Sequence, residues 1–157
     1  MSAPRVLIVE DEPMVAMDLE SIVLNVIAAD VVVVPSVSGA RHAMAAPLDF
    51  ALLDIEVTDG QTYEIARELQ RNGAAFVFVS GARPETLPSD LRGAPFISKP
   101  FERRQIEGFC VRNRPRGLPD RGESRPREPT RQVGARSATD DWRPAPRGPQ
   151  WRSFSRR

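Results

Sequence analysis

Four short apolar runs each end on side chains that could do chemistry. Glu10 and Asp11 follow Val6-Leu7-Ile8-Val9, Asp54 follows Ala51-Leu52-Leu53, Ser80 follows Phe76-Val77-Phe78-Val79, and Lys99 follows Phe96-Ile97-Ser98. The set comprises three acids, a hydroxyl and an ammonium. Carboxylates brought together repel one another and hold their protons more tightly unless a cation lies between them. A few carboxylate oxygens with a backbone carbonyl and water suit Mg²⁺, which keeps several waters and commonly shares its shell with phosphate oxygens. Transfer of a phosphoryl group to a carboxylate needs a metal, a fixed cation, a hydroxyl donor and an in-line nucleophile. Asp54, held on rigid backbone directly behind apolar residues, is the natural nucleophile, with Glu10 and Asp11 beside it as metal ligands. Lysine usage is a separate pointer. Of the 22 cationic residues Lys99 is the one lysine, and a compact charge on a flexible stem suits an ion pair to a single oxygen better than arginine's planar fork does.

These residues converge only if the runs that carry them lie side by side. Stretches at 5–9, 31–34, 50–53, 75–79 and 95–98 are β-branched or aromatic and nearly continuous in apolarity, the pattern of parallel strands buried on both faces. Helical segments lie between them. Pro13 opens the first, in which Val15, Leu19, Ile22, Val23 and Val26 recur at helical spacing. A second is expected over 39–46 behind Ser38, and a third over 61–72 closing on Gly73. Pro84 and Pro88 leave room for only a turn or two in the fourth. A fifth starts near Glu102 with Ile106, Phe109 and Cys110 on one face, its periodicity lasting about two turns, with Pro115 as its stop. Strands alternating with helices give an α/β three-layer sandwich with right-handed crossovers. Ligands in such sheets bind beyond the carboxyl ends of the strands, which is where the acids, Ser80 and Lys99 fall.

Charge divides the chain near residue 110. Residues 1–110 carry 9 Lys/Arg against 16 Asp/Glu, net −7, whereas 111–157 carry 13 Arg against 5 Asp/Glu, net +8. In the latter segment only Val111, Leu118 and Val133 are Val, Leu or Ile, while Pro and Gly number 11. Such a composition buries too little apolar surface to offset the entropy of ordering it, so 111–157 is expected to be a disordered Arg/Pro-rich tail behind a domain at 1–110. Arg, Pro, Gly and Ala enrichment is also what a shifted reading frame through GC-rich coding DNA produces, so a frameshift after about residue 107 is a further expectation for this segment. No apolar run reaches the length of a membrane span and the first residues lack a signal peptide's basic region, pointing to a cytoplasmic protein. One cysteine and one histidine exclude an internal disulfide and any multi-cysteine or clustered-histidine metal site.

Taken in order, Val6-Leu7-Ile8-Val9-Glu10-Asp11-Glu12-Pro13, Leu52-Leu53-Asp54-Ile55, Phe76-Val77-Phe78-Val79-Ser80-Gly81 and Ser98-Lys99-Pro100-Phe101 resemble the receiver domain of two-component response regulators. The resemblance covers roughly residues 4–107. It implies the flavodoxin-like receiver fold, a five-stranded parallel sheet of order 2-1-3-4-5. It further implies that Asp54 accepts a phosphoryl group from a histidine kinase or a histidine phosphotransfer protein, and that Asp11, Asp54 and the backbone carbonyl of Glu56 bind Mg²⁺ with Glu10 acting through water. Ser80 would donate to the phosphoryl oxygen, Lys99 would pair with the acyl phosphate across a cis bond to Pro100, and Phe96 would be the aromatic switch partnered with Ser80. The short, proline-interrupted fourth helix resembles that of stand-alone bacterial receivers, which signal through contacts with a downstream protein. Such a protein is a phosphoacceptor with at most Mg²⁺-dependent self-phosphorylation and self-dephosphorylation, and is not otherwise an enzyme.

Other readings compete. A flavodoxin-type carrier would need a Ser/Thr/Gly-rich phosphate cradle where this chain has Glu-Asp-Glu. A Mg²⁺-dependent nuclease or phosphatase could use Asp54 and Glu56, but no clamping arginine stands in the motif loops. A degenerate receiver would bind partners without phosphorylation. The 13 arginines of the tail, with Trp142, Trp151 and Phe154, offer nucleic-acid contact by charge and stacking. Taken singly, Asp59-Gly60 reads as a turn, Glu12 and His42 as surface residues, and Cys110 as a small apolar filler.

Overall fold

The computed structural model describes residues 2–118; most of the segment expected to be disordered, 119–157, lies outside them. Five parallel strands form the central sheet: β1 (Arg5–Val9), β2 (Asp30–Val34), β3 (Phe50–Leu53), β6 (Ala75–Ser80) and β7 (Phe96–Ser98), in the order β2-β1-β3-β6-β7. A two-residue antiparallel ribbon, β4 (Glu56–Val57) with β5 (Gly60–Gln61), stands apart from it. Counting only the parallel strands, the order is 2-1-3-4-5, as expected.

Although the strand sequences are apolar throughout, the pleat still sorts them. Val6, Ile8, Phe50, Leu52, Val77, Val79 and Ile97 face one layer, where α1 (Pro13–Val26) and α4 (Arg103–Asn113) contribute Leu19, Ile22, Val23, Ile106, Phe109 and Cys110. Leu7, Val9, Ala51, Leu53, Phe76 and Phe78 face the other, against α2 (Val37–Ala43) and α3 (Tyr63–Arg71). Because helices cover both faces, neither face of a strand requires polar residues. Each fully buried Leu, Ile or Phe contributes roughly 1.5–3 kcal/mol by leaving water. The three core positions expected of the last helix are all buried, and Phe109 meets Phe50 edge-on with centroids 5.6 Å apart.

The helix ends depart from expectation for identifiable reasons. Helix α2 spans Val37–Ala43 behind Ser36, not 39–46 behind Ser38. Ser36 Oγ accepts from the Gly39 N–H at 3.0 Å, and Asp59, 22 residues ahead of Val37, accepts from the N–H groups of Val37 at 2.5 Å and Ser38 at 3.0 Å. Those donations hold the Asp59 carboxyl below the usual carboxylate range. Asp59 thus forms the ribbon's turn and also caps a distant helix. Helix α3 starts at Tyr63, two residues late, because Gly60 and Gln61 pair in the ribbon instead. Gly73 closes it at φ +70°, a left-handed position that glycine adopts without steric cost.

In place of a fourth helix there are two 3₁₀ turns, Pro84–Thr86 and Ser89–Leu91. They put Leu87 and Leu91 into the core on the α3 side, and Arg67 of α3 grips Asp90 through Nε at 2.7 Å and Nη2 at 3.2 Å. Helix α4 runs three turns rather than two. Glu102 and Gln105 cap each other's backbone reciprocally, and the helix reaches Asn113, past the compositional break at 110. Replacing Phe109 by Ala removes the ring that joins this helix to β3 and is expected to lower stability by about 3–5 kcal/mol. Urea unfolding of the full chain measures it, and a change within a few tenths of a kcal/mol would mean that α4 is not part of the core.

Candidate functional site

The carboxyl ends of β1, β3, β6 and β7 carry the side chains expected there from sequence. Parallel pairing in register, Val9 beside Leu53, Leu53 beside Phe78 and Ser80 beside Ser98, brings strand ends far apart in sequence to one edge. Backbone bonds extend the order past the strands. Glu10 N–H donates to Val34 O at 3.0 Å, Asp54 N–H to Val9 O at 2.8 Å and Lys99 N–H to Ser80 O at 2.9 Å. The Lys99–Pro100 peptide is cis.

At the centre Lys99 Nζ donates to Asp54 Oδ2 and to Glu10 Oε2, both at 2.7 Å. Glu12 Oε1 stands 3.7 Å from the same ammonium, at the rim. The Glu10 side chain is fully buried and those of Asp54 and Lys99 are nearly so, with side-chain exposures of 0, 10 and 16 %. Burial at this depth would be untenable for unpaired charges, so the three are mutually dependent. Burial pushes the Glu10 carboxyl up from its ordinary value, against the lowering pull of Lys99 and the Glu12 N–H. Burial also works to lower the Lys99 ammonium, but Asp54 and Glu10 outweigh it and raise its pKa.

Asp11 is exposed, yet carboxylate oxygens of Glu10, Asp11 and Asp54 lie within 4.8 Å of one another. With Glu12 these acids carry four formal negative charges against the single positive charge of Lys99. A cluster of hard oxygens with excess negative charge, two of its members accessible from the crevice, is a donor set that fits a small divalent cation. Glu56, expected to contribute its carbonyl, is exposed in β4, two residues beyond Asp54. Ser80 is buried, and its Oγ accepts from the Ala82 N–H at 3.3 Å, which leaves the hydroxyl proton for another acceptor. Phe96 lies on the far face of β7, half-buried, its ring 6.4 Å from that of Phe78 and inclined at 47°.

Of the residues set aside from chemistry, Glu12 reaches the rim of the crevice, whereas His42 and Cys110 stay out of it. His42 is exposed on α2, and Cys110 is buried among apolar side chains that push its thiol up to about 12, which makes it unreactive near neutrality. One polar residue was missed. Thr62, fully buried, donates its hydroxyl to the backbone carbonyl of Asp54 at 2.6 Å. A Thr ahead of an amphipathic run reads from sequence as part of a helix start; nothing local ties it to residue 54. Among the described residues no helix is long and apolar enough to cross a membrane.

No family model matches the chain, and no curated protein matches it either. Solved structures do. SdrG from Sphingomonas melonis Fr1 is 29% identical, with 71% of this chain covering 99% of that one at a TM-score of 0.56. The response regulator PhyR from Brucella abortus is 26% identical over 71% of this chain, TM-score 0.59; the match spans 48% of its length. The response regulator TrrA from Thermotoga maritima, solved with Mg²⁺ and BeF, shares the fold at 18% identity over 71% of this chain and 99% of that one, TM-score 0.61. Other matching structures are receiver domains, two of them described as response regulator receiver domains. Parallel-sheet order, a lysine-bridged acidic crevice at the strand ends and these likenesses agree: the chain has the receiver fold and is similar in its described residues to the receiver domains of response regulators.

Proposed function

We propose that this receiver accepts a phosphoryl group on Asp54 from a histidine kinase or a histidine phosphotransfer protein and signals by protein contacts. The observation that carries the reading is the Lys99 ammonium held 2.7 Å from both Asp54 and Glu10, with the Asp11 carboxylate beside them. Asp11, Asp54 and the Glu56 carbonyl would hold Mg²⁺, with Glu10 acting through water. When bound, that ion would offset the surplus negative charge of the crevice and that of an incoming phosphoryl group.

An Asp54 oxygen forms the new P–O bond as the P–N bond to the donor's imidazole breaks, and the electron pair leaves with the nitrogen, which takes up a proton. Lys99 neutralises charge at Asp54 before and after transfer, with Glu10 keeping it aimed there. Ser80 supplies its hydroxyl proton to a phosphoryl oxygen. The product adds roughly −1.5 to −2 charge to a crevice that is already acidic, so its formation depends on the cations that offset that charge. Movement of Ser80 toward that group alters what the β6–β7 segment packs against, and Phe96, half-buried beside Phe78, is the ring free to answer it. The result is a shift between two packings of the surface around β7. Self-phosphorylation from small phosphodonors and slow self-dephosphorylation are the only reactions required of the chain, and the setting is the cytoplasm of a bacterium.

Incubation with acetyl phosphate and Mg²⁺, followed by intact mass measurement, is expected to add one phosphoryl group to the parent and none to Asp54→Asn or to a parent sample held in EDTA. A folded parent that gains no mass would reduce the chain to a phosphorylation-independent binding module. The single lysine permits a second check. Reductive methylation with ¹³C-formaldehyde labels Lys99 and the α-amine, and the Lys99 signal is expected to titrate at higher pH in the folded chain than in urea. Since the folded value is the raised one, the stability that Lys99 contributes is complete below the ordinary lysine value and is lost as pH rises through the folded one. The elevation is expected to shrink in Asp54→Asn; an Asp54→Asn midpoint equal to the parent's would dissolve the assigned ion pair.

A further inference from the structure

Asp54 presents two carboxylate oxygens, and the chain holds them differently. Oδ2 takes the Lys99 ammonium at 2.7 Å, whereas Oδ1 takes the N–H of Ile55, also at 2.7 Å. That N–H belongs to the peptide group between residues 54 and 55, whose oxygen is the Asp54 carbonyl. The same carbonyl accepts the Thr62 hydroxyl at 2.6 Å. One peptide group therefore links the hydroxyl of residue 62 to the carboxylate of residue 54: O–H to O=C, then N–H to Oδ1. A donor on the carbonyl polarises the amide and strengthens the N–H as a donor, and it fixes the peptide plane and hence the direction in which the N–H points.

Two further features set this bond apart from routine helix capping. Thr62 occupies the N-cap of α3, where a threonine hydroxyl ordinarily accepts from the helix's own N–H groups, yet it makes no such bond. Its backbone N–H instead donates to Ile55 O at 3.0 Å, so the residue grips the 54–55 segment twice while Asp54 N–H is tied to Val9 O. Thr62 is also fully buried, so its hydroxyl is closed off from water.

We infer that Thr62 is a positioning residue for the phosphoacceptor, acting through the 54–55 peptide group to orient and polarise the hydrogen bond on Asp54 Oδ1. This inference rests on the reading of Asp54 as the phosphoacceptor. By holding one oxygen on the backbone, Thr62 leaves the carboxylate a single rotamer in which its other oxygen meets Lys99. Its influence falls on the rate of transfer once the phosphodonor is bound and not on how tightly the donor binds.

The test compares full-length Thr62→Val, which keeps the shape and removes the hydroxyl, with Thr62→Ser, which keeps the hydroxyl and removes the methyl. With acetyl phosphate and Mg²⁺, Thr62→Val is expected to lose roughly tenfold in the saturating rate, the scale of one hydrogen bond, with the half-saturating concentration little changed. Thr62→Ser is expected to keep the parental rate. In ¹⁵N-¹H spectra recorded without phosphodonor, the Ile55 amide proton is expected to move upfield and exchange faster in Thr62→Val but to hold its place in Thr62→Ser. A parental rate or an unmoved Ile55 amide in folded Thr62→Val would overturn the assignment. So would a Thr62→Ser protein whose rate falls as low as that of Thr62→Val, and the serine variant decides the matter if the valine variant does not fold. A parent that takes no phosphoryl group would defeat the phosphoacceptor reading itself, which the amide signals distinguish from a failure of the Thr62 linkage.

Discussion

A single ammonium group shared between two buried carboxylates organises this molecule's functional end. Lys99 reaches Glu10 from β1 and Asp54 from β3, residues 89 and 45 positions away in sequence, and the three are shielded enough that loss of one partner would strand the others. Removing one member of a buried charge pair costs on the order of 3–5 kcal/mol, a large share of a small domain's stability. The crevice is therefore costly to keep, and the sheet keeps it by fixing each strand end with a main-chain bond to its neighbour. Charge remains in excess even so. Asp11 and Glu12 add anions at the rim that Lys99 alone does not balance, a charge surplus that fits a further cation.

The rest of the fold serves that constraint. Apolar strands enclosed on both sides give a backbone stiff enough to hold ångström-scale geometry, and the polar residues appear where the strands stop. Irregularity is concentrated on one side of the sheet, in the Glu56–Gln61 ribbon, which Asp59 pins to the start of α2, and in the two 3₁₀ turns, the second of which Asp90 pins to Arg67. Segments held by exposed polar contacts above a few buried leucines open at lower free energy than core strands do. They are therefore easier to displace than β1 and β3.

Much of this was legible in the sequence, and the boundary of legibility has a physical cause. Continuous apolar runs ending on Glu10, Asp54, Ser80 and Lys99 declared parallel strands and their polar tips, because burial on both faces leaves a composition signature that needs no partner to be seen. Pro84 and Pro88 announced the absent fourth helix, since ring geometry acts locally. The start of α2 was misread by two residues because Ser36, Ser38 and Asp59 all compete to cap it, and the deciding carboxylate arrives from another loop. Thr62 was missed for the same reason: a threonine at a helix start advertises a cap, and only the folded chain shows its hydroxyl turned to the carbonyl of residue 54. The extra turn of α4 depends on the reciprocal Glu102–Gln105 cap and on burial of Phe109 against Phe50, neither of which composition reveals next to an arginine-rich stretch.

The central claim is that the carboxylate held by Lys99 is the group that becomes an acyl phosphate. Reduction of the phosphodonor-treated chain with borotritide or borohydride converts an aspartyl phosphate to homoserine, and peptide mass spectrometry locates it. Homoserine at position 54, absent when Mg²⁺ is withheld, is the expected result. Homoserine at position 11 in place of 54, or a phosphorylated chain that yields none at 54, would contradict the account.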